Sequence, residues 1–79
     1  MEVFVLTVNE NDFNDVSCYD TEEKAINAII TDIKDRNLYE ENTDETMVII
    51  EEMKFDIKNY GYWKDEENVR YDIIKCKVN

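Results

Sequence analysis

Carboxylates are the side chains of this sequence that are numerous enough to do chemistry. The chain has 20 Asp and Glu among 79 residues against nine Lys and Arg, for a net charge of -11. The stretch YEENTDETMVIIEE, residues 39 to 52, holds six carboxylates and no basic residue. A carboxylate pair could catalyse hydrolysis as acid and base, but that chemistry needs an apolar pocket that moves the two pKa values apart. A chain this short has little depth for a pocket, so we expect no enzyme activity.

Other reactive groups are sparse. Cys18 and Cys76 have no histidine to act as a base, because the chain contains none. Two cysteines without a CxxC pair are not a zinc ligand set. Acids at 12 to 20 or 40 to 45 could chelate calcium weakly, but neither stretch has EF-hand spacing. We therefore expect no cofactor and no bound metal. The thiols are interpreted as separate and buried in a reducing cytoplasm, with a disulfide in an oxidising compartment as the alternative.

The negative charge is concentrated in three blocks. Residues 1 to 23 carry seven acids and no base, residues 40 to 52 carry six acids and no base, and residues 65 to 67 carry three acids. This balance disfavours direct binding to nucleic acid or to an anionic membrane, so the expected partner is a basic protein. Residues 1 to 20 lack the features of a signal peptide, and no apolar run is long enough to span a bilayer. We therefore expect a cytoplasmic protein.

The first half of the chain predicts two strands and a helix. MEVFVLTV is apolar on both faces, which is typical of a central strand with a helix on one side and a loop or partner on the other. Residues 9 to 15 predict a turn into a short strand with Val16 and Cys18. Asp20 can cap a helix from Thr21 to Arg36. Its apolar stripe recurs at helical spacing: Ala25, Ile26, Ile29, Ile30 and Ile33.

The second half predicts two more strands after an acidic loop at 39 to 46. Alternation from Met47 to Ile57 favours a strand, and a helix from Asp44 to Met53 is the alternative. A connection around Gly61 leads to a last strand, with a bulge at Ile73-Ile74. The sequence thus predicts one α+β domain over residues 1 to 79, a small antiparallel sheet in ββαββ order with one amphipathic helix on one face. An exposed edge strand leaves homodimerisation open.

The acidic connections are the predicted binding surface. Joining strands at the ends of the sheet, they could place carboxylates within a Debye length of one another and occupy a groove shaped for phosphates. Tyr62 and Trp63 beside an acidic block are typical interface anchors, with a small accessory core as the alternative. For the acids, the alternative is a merely solvated surface. The predicted partner-binding residues are Glu40, Glu41, Asp44, Glu45, Tyr62, Trp63, Asp65, Glu66 and Glu67.

The segments VFVLTV, DTEEKA and IIEEMKFD, together with the acidity, carry a resemblance to small proteins of phages and mobile elements from AT-rich bacteria. Within that group the chain is most similar to anti-CRISPR proteins and other anti-defence inhibitors. The resemblance implies a non-enzymatic inhibitor, acting in the bacterial host cell, that binds a basic nucleic-acid-binding protein such as a CRISPR effector or other nuclease by mimicking nucleic acid. The alternatives are an immunity or antitoxin protein against a basic toxin nuclease, and a structural phage protein.

Overall fold

Four strands and two helices make up the part of the chain that the structure, a computed structural model, describes: residues 1–35, 44–65 and 68–78. They run in the order β1 (Glu2–Glu10), β2 (Phe13–Tyr19), α1 (Glu22–Asp35), α2 (Asp44–Tyr60), β3 (Tyr62–Lys64) and β4 (Val69–Lys77). The strands form an antiparallel sheet in the order β2-β1-β4-β3. The predicted α+β class and antiparallel sheet are confirmed, but the predicted ββαββ order with one helix is wrong, because a second helix replaces the third strand.

The pairing of β1 with β4 is the longest in the sheet. It runs without a break from Glu2 opposite Lys77 to Glu10 opposite Val69. The predicted bulge at Ile73-Ile74 is therefore wrong. The change of apolar phase at that point has another cause: the strand is apolar first on the face toward the helices and then on the opposite face. β1 is a central strand, as predicted, since β2 pairs along its other edge.

The connection between β1 and β2 is a tight turn. Glu10 pairs with Phe13, so only Asn11 and Asp12 lie between the strands. Asn11 has a φ of 44°, a left-handed conformation that asparagine adopts more readily than most residues. The turn predicted over residues 9 to 15 is thus shorter, and both strands extend further than their sequence pattern indicates.

Helix α1 begins one residue later than predicted because its cap is Thr21. The Thr21 Oγ1 accepts a hydrogen bond from the backbone N–H of Lys24 at 3.1 Å, the usual geometry of a threonine cap. Asp20, the predicted cap, instead accepts a bond from the Lys24 ammonium. That hydrogen bond, and the charge of Lys24, lower the pKa of Asp20. The predicted apolar stripe is confirmed, with Ala25, Ile29 and Ile33 buried.

Residues 44 to 60 form a helix, so the strand predicted from Met47 to Ile57 is wrong; the alternative helix from Asp44 is confirmed at its start but continues past Met53 to Tyr60. Met53 and Ile57 are buried, whereas Phe55, which a strand would place on the same face, is 60% exposed. The helix ends at Gly61, whose φ is 83° and whose N–H donates to the carbonyl of Ile57 at 3.0 Å. A glycine in this left-handed conformation is a common helix C-terminus.

The core lies between the two helices and one face of the sheet. Tyr71 of β4 is fully buried near its centre, beside Val69 and Leu6 from the sheet and below Ile29 and Ile33 of α1. Helix α2 contributes apolar side chains from a single side, Ile50, Met53 and Ile57. Both helices therefore pack on the same face of the sheet, and the described residues place no helix on the other.

The helical form of residues 44 to 60 can be tested by two substitutions. We expect Met53→Ala to lower the free energy of unfolding by about 2–4 kcal/mol, because it leaves a cavity under α2. Phe55→Ala should lower it by less than about 1 kcal/mol, because that ring lies on the surface. Chemical denaturation followed by circular dichroism measures both. Comparable losses for the two variants would support the strand instead, since a strand buries both side chains together.

Candidate binding surface

The acids of the described residues do not form a cluster that could hold a metal ion. Within residues 1–35, 44–65 and 68–78, no group of three or more Cys, Asp and Glu side chains is placed to hold a metal ion. Two acids have structural roles: Asp32 in a contact between α1 and the sheet, and Asp65 in the connection between β3 and β4. Asp32 accepts a hydrogen bond from the buried Tyr71 hydroxyl at 2.6 Å. The acids that remain available for binding are therefore those on the surface.

The sheet places two of the acidic blocks at one end of the molecule. β1 ends at Glu10 opposite Val69, the first residue of β4, so the turn at Asn11-Asp12 and the connection between β3 and β4 project from the same end. The first turn is flanked by Glu10 and Asp15. The second contains Asp65, while the predicted residues Glu66 and Glu67 lie outside the described residues. The register thus places the two ends of these strands together, and the predicted clustering of acids there stays a prediction.

Asp65 is a structural residue of the β3–β4 connection. The side chain is buried, and its Oδ1 accepts a hydrogen bond from the N–H of Val69 at 3.0 Å. The backbone of Asp65 also pairs with Val69, through N–H to O at 2.9 Å. Asn68 completes the turn with a φ of 66°. The carboxylate of Asp65 therefore faces the turn, not the solvent where a partner would meet it, in contrast to the prediction.

The two predicted aromatic anchors have different positions. Trp63 is 4% exposed and stacks on Tyr71, with ring centroids 5.9 Å apart and 18° between the planes. It is a core residue, as the alternative interpretation held, and it does not present its ring to a partner. Tyr62 lies on the opposite face of β3 and is exposed, with the guanidinium of Arg70 at 4.2 Å from its ring centroid. It thus contacts a cation of its own chain.

A surface that the sequence interpretation missed lies on the outward side of α2. Val48, Glu51, Glu52 and Phe55 follow helical spacing along this side, and all four are exposed. Val48 is 64% exposed and Phe55 60%. We call this surface the α2 outer face and define it by Val48, Glu51, Glu52 and Phe55, with Met47 at its border. It combines large apolar side chains with carboxylates, on a helix whose inner side is also apolar.

The aromatic part of this surface makes local contacts. Phe55 meets Tyr60 edge to face, with ring centroids 6.5 Å apart. The side chain of Asn59 donates to the Phe55 carbonyl at 2.7 Å, which strengthens the last turns of α2. Glu51 has a loose ion pair with Lys54, at 3.7 Å between Oε1 and Nζ. The backbone of Phe55 thus belongs to a reinforced helix end, and its ring adjoins that of Tyr60 on the surface.

The basic residues of α2 lie along its side toward α1. Lys54 and Lys58 line a shallow groove of about 340 Å³ together with Glu22, Glu23 and Ile26 from α1. The cations of α2 therefore have acidic neighbours on α1. Lys54 also pairs with Glu51, so these lysines border the α2 outer face on its Glu51 side, and Glu52 lies on the far side of that face.

The predicted acidic residues adjoin this surface to different extents. Asp44 and Glu45 belong to the first turn of α2. Glu40 and Glu41 lie outside the described residues. The helical spacing of Val48, Glu51, Glu52 and Phe55 is the sequence signal that would have found the surface. It was hidden by the strand interpretation, which placed Phe55 among buried residues.

The comparisons with known proteins add no relative. No protein-family model, curated protein or solved structure matches this chain. Neither helix of the described ranges is long and apolar enough to cross a membrane.

The structural role of Asp65 leads to a test that separates it from the acids of the surface. We expect Asp65→Ala to lower the free energy of unfolding by about 1–2 kcal/mol, because the buried N–H of Val69 loses its side-chain acceptor. Glu52→Ala, the matched removal of an exposed carboxylate, should change it by less than about 0.5 kcal/mol. Urea denaturation of both variants is the measurement. Equal stability of the two would place the Asp65 carboxylate in solvent.

Proposed function

We propose that this protein is a non-enzymatic inhibitor that binds a basic nucleic-acid-binding protein of a bacterial defence system and occupies its nucleic-acid site. The observation that carries the proposal is the α2 outer face, where Val48 and Phe55 are exposed between carboxylates. The resemblance to anti-defence inhibitors described above supports the class of target. The partner chemistry follows from the charge of the chain and of this surface.

The apolar residues of the α2 outer face supply the short-range part of the binding. Val48 and Phe55 are seven residues apart on one side of a helix, the spacing by which helices anchor in the groove of a partner. Phe55 meets the ring of Tyr60 edge to face, so the two exposed aromatic rings form one apolar contact area beside the carboxylates. An aromatic anchor of this kind is typical of the few residues that dominate binding energy.

The carboxylates supply the long-range part. Glu51 and Glu52 flank the apolar residues, and the acidic block at 40 to 52 continues through Asp44 and Glu45. A protein with a net charge of -11 is steered toward a basic channel, and the attraction weakens with salt. Nucleic acid releases its condensed counterions when the basic residues of a channel neutralise the phosphates, and a dense set of carboxylates can gain from a similar exchange.

A solvated acidic surface is a weaker explanation of these features. Solubility accounts for Glu51 and Glu52, but it gives no reason for an exposed valine and phenylalanine between them. An immunity or antitoxin protein against a basic toxin nuclease would use the same chemistry. The identity of the captured target therefore distinguishes a defence effector from a toxin.

The proposal is tested by affinity capture with the tagged protein from lysate of a bacterium that has defence systems. We expect one basic nucleic-acid-binding protein to be retained at about 50 mM salt, to be lost at about 500 mM, and to be displaced by DNA or RNA. Mass spectrometry identifies the target, and its nuclease activity with and without this protein measures inhibition. Retention that DNA and RNA leave unchanged, or nuclease activity that this protein leaves unchanged, would contradict the proposal.

Two matched variants locate the surface once the target is purified. Glu51→Lys with Glu52→Lys should weaken binding by about tenfold or more, because charges inside the contact are reversed. Asp12→Lys with Asp15→Lys makes the same change in net charge at the end of the sheet and should have a smaller effect. Phe55→Ala should weaken binding by about tenfold or more without unfolding the protein. Equal effects of the two charge reversals would move the contact away from α2.

The sequence interpretation provides a further variant. Reversal of Glu40, Glu41, Asp44 and Glu45 to Lys is expected to abolish binding while the domain stays folded, because these residues extend the acidic block that leads into α2. Isothermal titration with the purified target measures the loss, and circular dichroism checks the fold. Full affinity in this variant would contradict binding through the clustered carboxylates and so the proposal itself.

A further inference from the structure

The second face of the sheet is apolar at its centre. Residues that pair directly across strands point to the same side, so the register places Val3, Val5 and Thr7 of β1 with Ile74 and Cys76 of β4. Val16 and Cys18 of β2 lie on the same side, opposite Thr7 and Val5. We call this surface the open face: Val3, Val5, Val16, Cys18, Ile74 and Cys76. The core residues of the sheet, including Leu6, Trp63 and Tyr71, all lie on the other side.

Nothing in the described part of the chain covers the open face. Val16 is 63% exposed and Ile74 is 55% exposed. Cys18 is exposed as well and Cys76 half-buried, so the prediction of two buried thiols is wrong for both. The two cysteines lie on strands separated by β1, about 10 Å apart from strand spacing alone. That distance exceeds the roughly 7 Å limit for a disulfide, so they do not pair within one molecule.

The open face differs in charge from the rest of the molecule. Three charged residues of the described strands lie on the same side of the sheet: Lys64, Arg70 and Asp72. Together they carry +1, in a chain with a net charge of -11. Arg70 is also held, since its Nε lies 3.0 Å from Asp72 Oδ2 and its guanidinium covers the ring of Tyr62. The acids of the protein are thus concentrated elsewhere.

We propose that the open face is the interface of a homodimer, in which two copies pack their sheets face to face. A basic target has no complementary charge on this face, so the occupant must be apolar and nearly neutral. The same face of a second copy meets both conditions. It is also the surface through which two copies of charge -11 can approach without placing carboxylates against carboxylates. A two-fold axis makes such a contact self-complementary, and sheets pack in this way about 10 Å apart.

The area of this side of the sheet limits how much surface a dimer can bury. Three strands spaced about 4.8 Å apart and about 25 Å long give this side of the sheet roughly 400 Å² in each copy, of which the apolar open face occupies one part and polar positions such as Asn9 and Asn14 the rest. Two such faces bury on the order of 1,000 Å² in total, which is the lower limit for a specific interface. Contacts at this lower limit are typical of weak, transient association, so we expect the dimer to dissociate in the micromolar range.

The dimer has a dependence on salt that is opposite to that of target binding. Two acidic copies repel each other at long range, and added salt screens the repulsion while it leaves the burial of apolar surface in place. The dimer becomes stronger as salt is raised, whereas binding to a basic target becomes weaker. Failure of one proposal is thus distinguishable from failure of the other.

Sedimentation equilibrium of the intact chain, with a non-thiol reductant, tests the proposal. We expect a shift from monomer to dimer between about 5 and 200 μM, at lower concentration in about 500 mM salt than in about 50 mM. Ile74→Lys and Val16→Lys should each keep the protein monomeric at the highest concentration, because a charge is placed in the apolar contact. Val48→Lys is the matched control: it changes an equally exposed valine on the α2 outer face and should dimerise as the unaltered protein does.

Alkylation of Cys18 in the unaltered protein gives a second readout that does not depend on any variant folding. The rate should fall about threefold or more from 5 to 200 μM protein, as the dimer covers the thiol by mass action. A monomer at every concentration and salt would overturn the proposal. So would a dimer that both Ile74→Lys and Val16→Lys retain, a dimer that Val48→Lys also loses, or an alkylation rate that is independent of concentration.

Discussion

The position of Tyr71 is the constraint on which the rest of the structure depends. The ring is fully buried in β4, and a buried phenol needs a hydrogen-bond partner for its hydroxyl. Asp32 of α1 supplies that partner at 2.6 Å, which determines where the C-terminal half of α1 lies over the sheet. Trp63 stacks on the other side of the ring and so brings β3 against β4. Tyr71 thereby joins a helix and two strands. Its partners, Trp63 and Asp32, are residue types that the sequence alone could assign to a binding surface, but here they have structural roles.

The core formed around Tyr71 uses one side of each layer. A chain of 79 residues buries only about 60% of the surface of its unfolded form. It is too short to add a third layer of helices or strands to the two that it has. The outward side of α2 and the open face of the sheet are left in solvent, and both are apolar in part. They lie on opposite sides of the molecule, because the inner side of α2 packs on the face of the sheet that holds Tyr71. A partner on α2 therefore leaves the open face accessible to a second copy.

Helix α1, which has a single apolar side, was predictable from the sequence, whereas helix α2, which has two, was not. Helix α1 has one stripe, and its pattern predicted its bounds to within a residue at the start. Helix α2 is apolar at Met47, Val48, Ile49 and Ile50, which fits the period of a strand as well as that of a helix. The same ambiguity produced the bulge assigned to β4, whose second apolar phase belongs to the open face. Residue type also did not show that Trp63 and Asp65 are buried, because burial depends on Tyr71 and Val69, which come later in the chain.

The strand order has a consequence for how the protein folds. β1 and β4 are the first and last strands, yet they are neighbours at the centre of the sheet. The hairpin of β1 and β2 and both helices consist of local contacts and can form early, but closing the long loop between β1 and β4 is slow. Until β4 pairs with β1, one edge of β1 has no hydrogen-bonding partner. Leu6 and Val8 then also lack the neighbouring side chains of Ile73 and Tyr71. The strong negative charge of the N-terminal half then keeps incomplete chains apart during the stage at which they are most prone to aggregate.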